Sequence, residues 1–203
     1  VTLLDSRVEV RCGSATFSLP AMPVEEYPQV PKVDTVSGSV PADVFADAIA
    51  QVSLAASKDD VTPVITGVQF EITENSLTLT ATDRYRVATR GIDWENRGGQ
   101  ESLSALVPSK IVTEVGKTFA HDGQVQVAIV KDGERELIAF TGGSKTVTSL
   151  LIKGNYPPVG RLFPTAVDNY AVINTAELVE AVGRVGLVLE REAAVRFCAT
   201  VSE

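Results

Sequence analysis

The hydrophobic period of the chain changes several times between residues 8 and 152, and each change marks an element. Val8, Val10 and Cys12 alternate with Glu9 and Arg11, Gly13-Ser14 turns the chain and residues 15–19 return, predicting a β-hairpin. Pro20, Pro23, Pro28 and Pro31 follow too densely for a helix or a central strand, so residues 20–36 read as a linker. Beyond Ser39 the period lengthens. Pro41 opens a helix on which Phe45, Ala48, Ile49 and Val52 recur at helical spacing. Period-two segments at 64–73, 76–82 and 84–94 then predict three strands, separated by turn signals at Glu74-Asn75 and around Asp83. The same order recurs. A strand at 101–107 leads to Pro108, which opens a helix with Ile111, Val112, Val115 and Phe119 on one face, followed by strands at 124–130, 134–140 and 145–152. A βαβββ unit is therefore predicted twice, giving an α+β fold with antiparallel sheets and helices on one face.

A longer echo overlies this pattern at an offset of about 130 residues. Ser14-Ala15-Thr16, Leu19 and Tyr27-Pro28 are answered by Ser144-Lys145-Thr146, Leu150 and Tyr156-Pro157. Residues 47–54 align without gaps with residues 180–187, so a helix after Asn174 is expected to copy the helix after Pro41. The chain is expected to hold one full copy, residues 37–155, with the tail of a preceding copy in 1–36 and the head of a following copy in 156–203.

Composition narrows the chemistry. At 44% hydrophobic and 22% charged residues, the 203-residue chain lies in the ordinary globular range. Its apolar runs are too short to cross a bilayer and no leader pattern opens it, so a cytoplasmic protein with no membrane partner is expected. The formal net charge of −8 repels phosphates, so any contact with DNA must be local. Cys12 and Cys198 form no CxxC pair, and the single His121 leaves no Cys/His cluster. The cysteines read as small buried or half-buried hydrophobes, and neither metal nor cofactor is expected. Thr141-Gly-Gly-Ser-Lys-Thr lacks phosphate-loop spacing and leads into a strand. Asp83, Asp93, Asp122 and Asp132 have no partner histidine, and no Gly-x-Ser-x-Gly elbow occurs. The residues alone thus show no recognised enzyme motif and leave open an unrecognised α+β hydrolase or transferase and a plain peptide-binding adaptor.

Particular segments carry a resemblance. Residues 17–28 (Phe-Ser-Leu-Pro-Ala-Met-Pro-Val-Glu-Glu-Tyr-Pro), the segment from Pro63 to Val68, the segment from Ala81 to Ala88 and the segment from Leu151 to Pro157 occur in the order seen in the bacterial DNA sliding clamp, the β subunit of DNA polymerase III. The chain is similar to that family over essentially its whole length. The resemblance implies the clamp fold and a processivity factor that binds rather than catalyses: a homodimeric ring of three-domain chains around duplex DNA, tethering the polymerase III α subunit and other proteins with a clamp-binding motif, and loaded by a clamp loader. On this alignment residues 1–36 end the first domain and form a linker, 37–155 make a complete second domain, and 156–203 form a linker and begin a third.

The same resemblance assigns a protein-binding cleft to Ile65, Thr82, Arg84, Tyr85, Arg86, Val87, Pro157 and Leu162. An apolar floor beside a rigid proline suits a Leu or Phe of a short linear peptide, and two arginines add charge-assisted donors. Arg84 stands where the family commonly has glycine, and Tyr85 replaces a frequent histidine, so peptide preference is expected to differ. For DNA, Lys110 and Lys117 lie two turns apart on one helix face, Lys58 follows the first helix, and Arg184 on the third is a weaker candidate. The residues alone leave an ordinary solvated role for these cations equally open, since the first helix carries Asp43 and Asp47.

Overall fold

The computed structural model describes residues 1–27, 33, 35–99, 102–132, 135–163, 166–167, 170–190 and 195–198. Pro28, Pro31 and the final residues 199–203 therefore lie outside the described residues. The chain divides into two compact units, Val1–Pro157 and Pro158–Glu203.

In the first unit both main helices begin directly after a proline. α1 (Ala42–Ser53) follows Pro41 and α2 (Ser109–Phe119) follows Pro108, each proline in an extended conformation with no side-chain cap. Proline suits a helix start because its fixed φ and missing N–H cost nothing there. One orphan donor of α1, the Ala42 amide, bonds the Gly123 carbonyl at 3.0 Å. Helical spacing then buries Phe45, Ala48, Ile49 and Val52 on α1 and Val112, Val115 and Phe119 on α2. The two helices pack on each other, and a Cβ at Gly116 would lie 3.2 Å from Ile49 Cγ2, so glycine permits their close approach.

Among the described residues every strand pairing is antiparallel. β5 (Gly67–Ile72), β6 (Ser76–Thr82), β7 (Val87–Asp93) and β9 (Leu103–Pro108) form one sheet in the order β7-β6-β5-β9. β4 (Gly38–Pro41), β8 (Glu95–Asn96), β10 (Gln124–Asp132), β11 (Arg135–Gly142) and β12 (Lys145–Leu150) form the other, in the order β12-β11-β10-β4-β8. Each three-stranded meander thus takes its fourth strand from the other half: β9, which precedes α2, joins β5, while β4, which precedes α1, joins β10. The result is a doubled βαβββ unit with internal two-fold character. Val68, Phe70 and Ile72 of β5, Leu77, Leu79 and Ala81 of β6, Val125 and Val127 of β10, and Ile138 and Phe140 of β11 alternate into one core with both helices. At its centre the rings of Phe45, Phe70 and Phe140 stand 6.0–6.2 Å apart. A Cβ at Gly38 would come within 2.3 Å of Trp94 Cζ2, so β4 passes under the buried tryptophan only as glycine.

A separate sheet in the order β1-β2-β3 holds β1 (Thr2–Leu4), β2 (Arg7–Cys12) and β3 (Ala15–Pro20). Cys12, expected to be buried or half-buried, is exposed because it ends β2 beside the turn at Gly13-Ser14, opposite the exposed Ala15, and Cys198 is exposed as well. In the second unit α3 (Thr175–Gly186) starts at Asn174, whose Oδ1 accepts from the Ala176 and Glu177 amides at 2.9 and 3.2 Å.

Two strand starts differ from the periodic reading by three residues, the other strand boundaries by two at most. Residues Pro63–Thr66 form a 3₁₀ turn instead of opening a strand, because Pro63 has no amide for a ladder and Thr66 Oγ1 bonds its carbonyl at 2.7 Å. Residues 84–86 belong to a turn held by Asp83, so β7 starts only at Val87.

Truncating the ring that joins α1 to both sheets should be costly. Phe45→Ala is expected to lower unfolding free energy by about 3–5 kcal/mol in urea titration, whereas Phe17→Ala, on a side chain 59% exposed, should change it by less than about 1 kcal/mol. Equal losses would contradict a core centred on the aromatic cluster.

Candidate functional site

A cleft of about 480 Å³ opens between the loop that follows α1 and the turn that precedes β7. Ile65 is its buried floor, with Ala56 beside it, and Thr62, Arg84, Tyr85 and Arg86 stand around it. The turn is built by short polar side chains. Asp83 Oδ1 accepts from the Tyr85 and Arg86 amides at 3.1 and 3.0 Å, and its Oδ2 accepts from Arg86 Nε at 3.0 Å. Thr82, 3% exposed, donates through Oγ1 to the Arg86 carbonyl at 2.8 Å and accepts from the Arg84 amide at 3.2 Å. This geometry forces Arg84 to φ +79°, the left-handed region that glycine enters freely and that costs other residues about 1–2 kcal/mol. Its guanidinium reaches across to Thr62 Oγ1 at 2.6 Å, linking the two walls.

Burial pushes the Asp83 carboxyl upward, but the amides of Arg86 and Tyr85, together with the Arg86 guanidinium, outweigh it and hold the group below its ordinary value. Tyr156 is pinned against β6, its hydroxyl donating to the Thr80 carbonyl at 3.4 Å. Burial pushes that phenol up to about 12, against a lowering backbone hydrogen bond at Thr82, so it remains a neutral donor at physiological pH.

A second cleft, of about 620 Å³, lies between the C-terminal end of α1 and the first turns of α2, lined by Ser53, Lys58, Asp60, Ser109, Lys110 and Glu114 among others. Lys58 lines both clefts. Lys117, at the other end of α2, has its Nζ 2.8 Å from Glu114 Oε1, and Arg184 is ion-paired with Glu180 on α3. Among the described residues, no three His, Cys, Asp or Glu side chains converge as a metal site.

Of the cleft residues expected from the sequence, Ile65, Arg84, Tyr85 and Arg86 come together around one cavity. Thr82 acts from behind as a strut of the turn, and Val87 is half-buried at the start of β7. Pro157 is half-buried at the end of the first unit, and Leu162, 61% exposed, lies on a 3₁₀ turn of the second. Thr62 and Asp83 were missed as cleft residues. An aspartate heading a polar run is an Asx-turn signal that could have found Asp83, but nothing local pairs Thr62 with a residue so far along the chain.

The sequence profile of the DNA polymerase III beta subunit, central domain, matches residues 39–158. The chain belongs to this family. A beta sliding clamp from Streptomyces coelicolor is 45% identical over 94% of this chain and 51% of its own length, and one from Micrococcus luteus is 40% identical over 98% of this chain and 64% of its own. The crystal structure of the Bacillus subtilis DNA polymerase sliding clamp superposes with a TM-score of 0.83 at 26% identity, covering 95% of this chain and 50% of that one. The chain therefore spans about half to two thirds of the length of the relatives it matches. The α+β architecture with antiparallel sheets is that of the clamp family.

Since the native carboxyl of Asp83 titrates below its unfolded value, its contribution to stability is complete above the unfolded pKa, about 3.9. That contribution is lost as pH falls through the folded pKa. The Tyr85 and Arg86 amide resonances should accordingly titrate together below about pH 4 in proton–nitrogen NMR spectra. A transition above pH 5 would show that the carboxylate is not held by these donors.

Proposed function

We propose that this chain is part of a DNA sliding clamp, a processivity factor that encircles duplex DNA as a homodimeric ring and tethers the replicative polymerase by a peptide cleft. In this reading residues 1–36 end one domain, 37–155 form the complete central domain and 156–203 begin the next. The observation that carries it is the family match across residues 39–158, joined to a cleft in which Ile65, Arg84, Tyr85 and Arg86 converge. The cleft binds the polymerase III α subunit and other proteins bearing a short apolar motif, with Pro157 contributing from the end of the same unit. The function is binding rather than catalysis. Lys58, Lys110, Lys117 and Arg184 are its DNA-facing cations, and the clamp loader is a further partner. Work alongside DNA places it in the cytoplasm. An overall charge of −8 supports a loose local grip, because the remainder of the surface repels phosphates.

Two measurements test this. In calorimetry with a short peptide carrying a Leu-Phe anchor, Pro157→Ala should weaken binding by about 1–3 kcal/mol. Unchanged affinity would remove Pro157 from the cleft. In the full-length ring, replacing Lys110 and Lys117 by alanine should lower the slope of log affinity against log salt by at most about two, since each neutralised phosphate contributes ~0.9. The drop should lie nearer one than two, because Lys117 is already partnered by Glu114. An unchanged slope on several unrelated DNA sequences would exclude α2 from the pore.

A further inference from the structure

The sheet beneath the smaller cleft is not paired to its end. β5 meets β9 as far as Gly67 opposite Pro108, but among the described residues its ladder with β6 stops at Gln69 opposite Thr80. There the strands fork. The chain before Gly67 turns away as the 3₁₀ turn Pro63–Thr66, while β6 runs on through Ala81 and Thr82 into the turn at 83–86. Ile65 lies on one branch and Arg84 to Arg86 on the other, so the width of the fork decides how far apart the cleft floor and the turn stand. The loop after α1 follows the first branch, because the Ser57 amide bonds the Ile65 carbonyl at 2.9 Å.

The segment that leaves β12 fills this fork. The Leu151 amide bonds the Glu136 carbonyl of β11 at 3.0 Å and the Ile152 amide bonds the Leu106 carbonyl of β9 at 2.8 Å, so the segment crosses from one sheet to the other. It then runs close against the Pro63–Thr66 branch. A Cβ at Gly67 would lie 2.9 Å from Ile152 Cδ1, and one at Gly154, whose φ is +139°, would lie 2.5 Å from Val64 Cγ1. Two residues on, the Tyr156 hydroxyl donates to the Thr80 carbonyl at 3.4 Å, and a backbone hydrogen bond at Thr82 reaches the same oxygen. The half-buried tyrosine therefore holds the end of β6 while its own segment packs on the opposite branch. The bond to Thr80 is long, so the bulk of the ring contributes more than the hydroxyl.

Resting on the reading of this cleft as a peptide site, we propose that Tyr156 is a positioning residue of that site, a wedge between β5 and β6 that sets the spacing of Ile65 and the turn at 83–86. It acts without touching the peptide, and the affinity of the cleft depends through it on the path of residues 151–156, none of which lines the cavity.

The test uses the 203-residue chain and a synthetic peptide with a Leu-Phe anchor, titrated calorimetrically well below the unfolding temperature. Tyr156→Ala should weaken binding about tenfold, since a site loosened by its supporting residues loses complementarity. Tyr156→Phe, which keeps the ring, should weaken it about threefold at most. In proton–nitrogen NMR spectra of Tyr156→Ala, the Ile65, Thr82 and Arg84 amides should move. Ile138→Val, a change in the buried face of the other sheet, is the control: it should lower thermal stability while leaving affinity and those three amides as they were. Equal binding by Tyr156→Ala and the unaltered chain would overturn the proposal, as would an equal loss in Ile138→Val, and in both cases the cleft would stand as a peptide site. Failure of the unaltered chain to bind would overturn the cleft reading and the proposal with it.

Discussion

The contact of Phe45, Phe70 and Phe140 is the point on which the central domain depends. One ring comes from α1, one from β5 and one from β11, so a helix and both sheets meet in a single cluster. Tilted and edge-on rings at this spacing gain from their quadrupoles as well as from burial. With the rings in place, α1 has one rotation that buries its apolar stripe, and Gly116 of α2 can then approach Ile49. The orientation of α1 in turn decides where the chain leaves it. That exit, from Leu54 to Thr62, is one wall of the cleft near Ile65, and β6 leads directly into the other. A cleft assembled from two loops is thus held in shape by the core from which both loops leave.

The two clefts differ in composition. The smaller has a buried isoleucine floor and a rim of charged and hydroxylated residues, a combination suited to an apolar anchor with a polar flank. The larger mixes two lysines with Asp60 and Glu114, which weakens its field. Lys58 belongs to the rim of both, so the short segment after α1 is the ridge between them.

Legibility in the sequence followed the regularity of the burial pattern. α1, α2 and β6 were readable because each carries a full apolar face with a proline or turn signal at its end. β4 and β8 escaped notice as strands, being four and two residues long, too short to establish a period. The stretch around Pro63 misled because Val64 and Ile65 look like strand residues, while the missing amide of Pro63 turns the chain. The turn at 83–86 misled for a different reason: its hydrogen bonds run from a side chain to the backbone and leave no mark on hydrophobicity. The resemblance, not the periodicity, singled out Ile65, Thr82 and Arg84 to Val87. Departure from glycine at position 84 was visible in the sequence, but its backbone strain and its link to Thr62 emerge only when two loops twenty-two residues apart are brought together.

The exchange of strands between the two halves bears on how the chain reaches its structure. Gly38 pairs with Val127 and Gly67 with Pro108, so neither meander has its fourth strand until a distant segment arrives. Contacts of such separation require a long loop to close before they repay the lost entropy, which makes folding slow and cooperative. During synthesis from the N-terminus, β5 stands with an open edge until β9 emerges, and β4 waits longer still for β10. An open edge is a template for pairing with another chain. The duplicated architecture that makes the finished domain symmetrical therefore leaves the nascent one exposed to misassociation until its second half has been made.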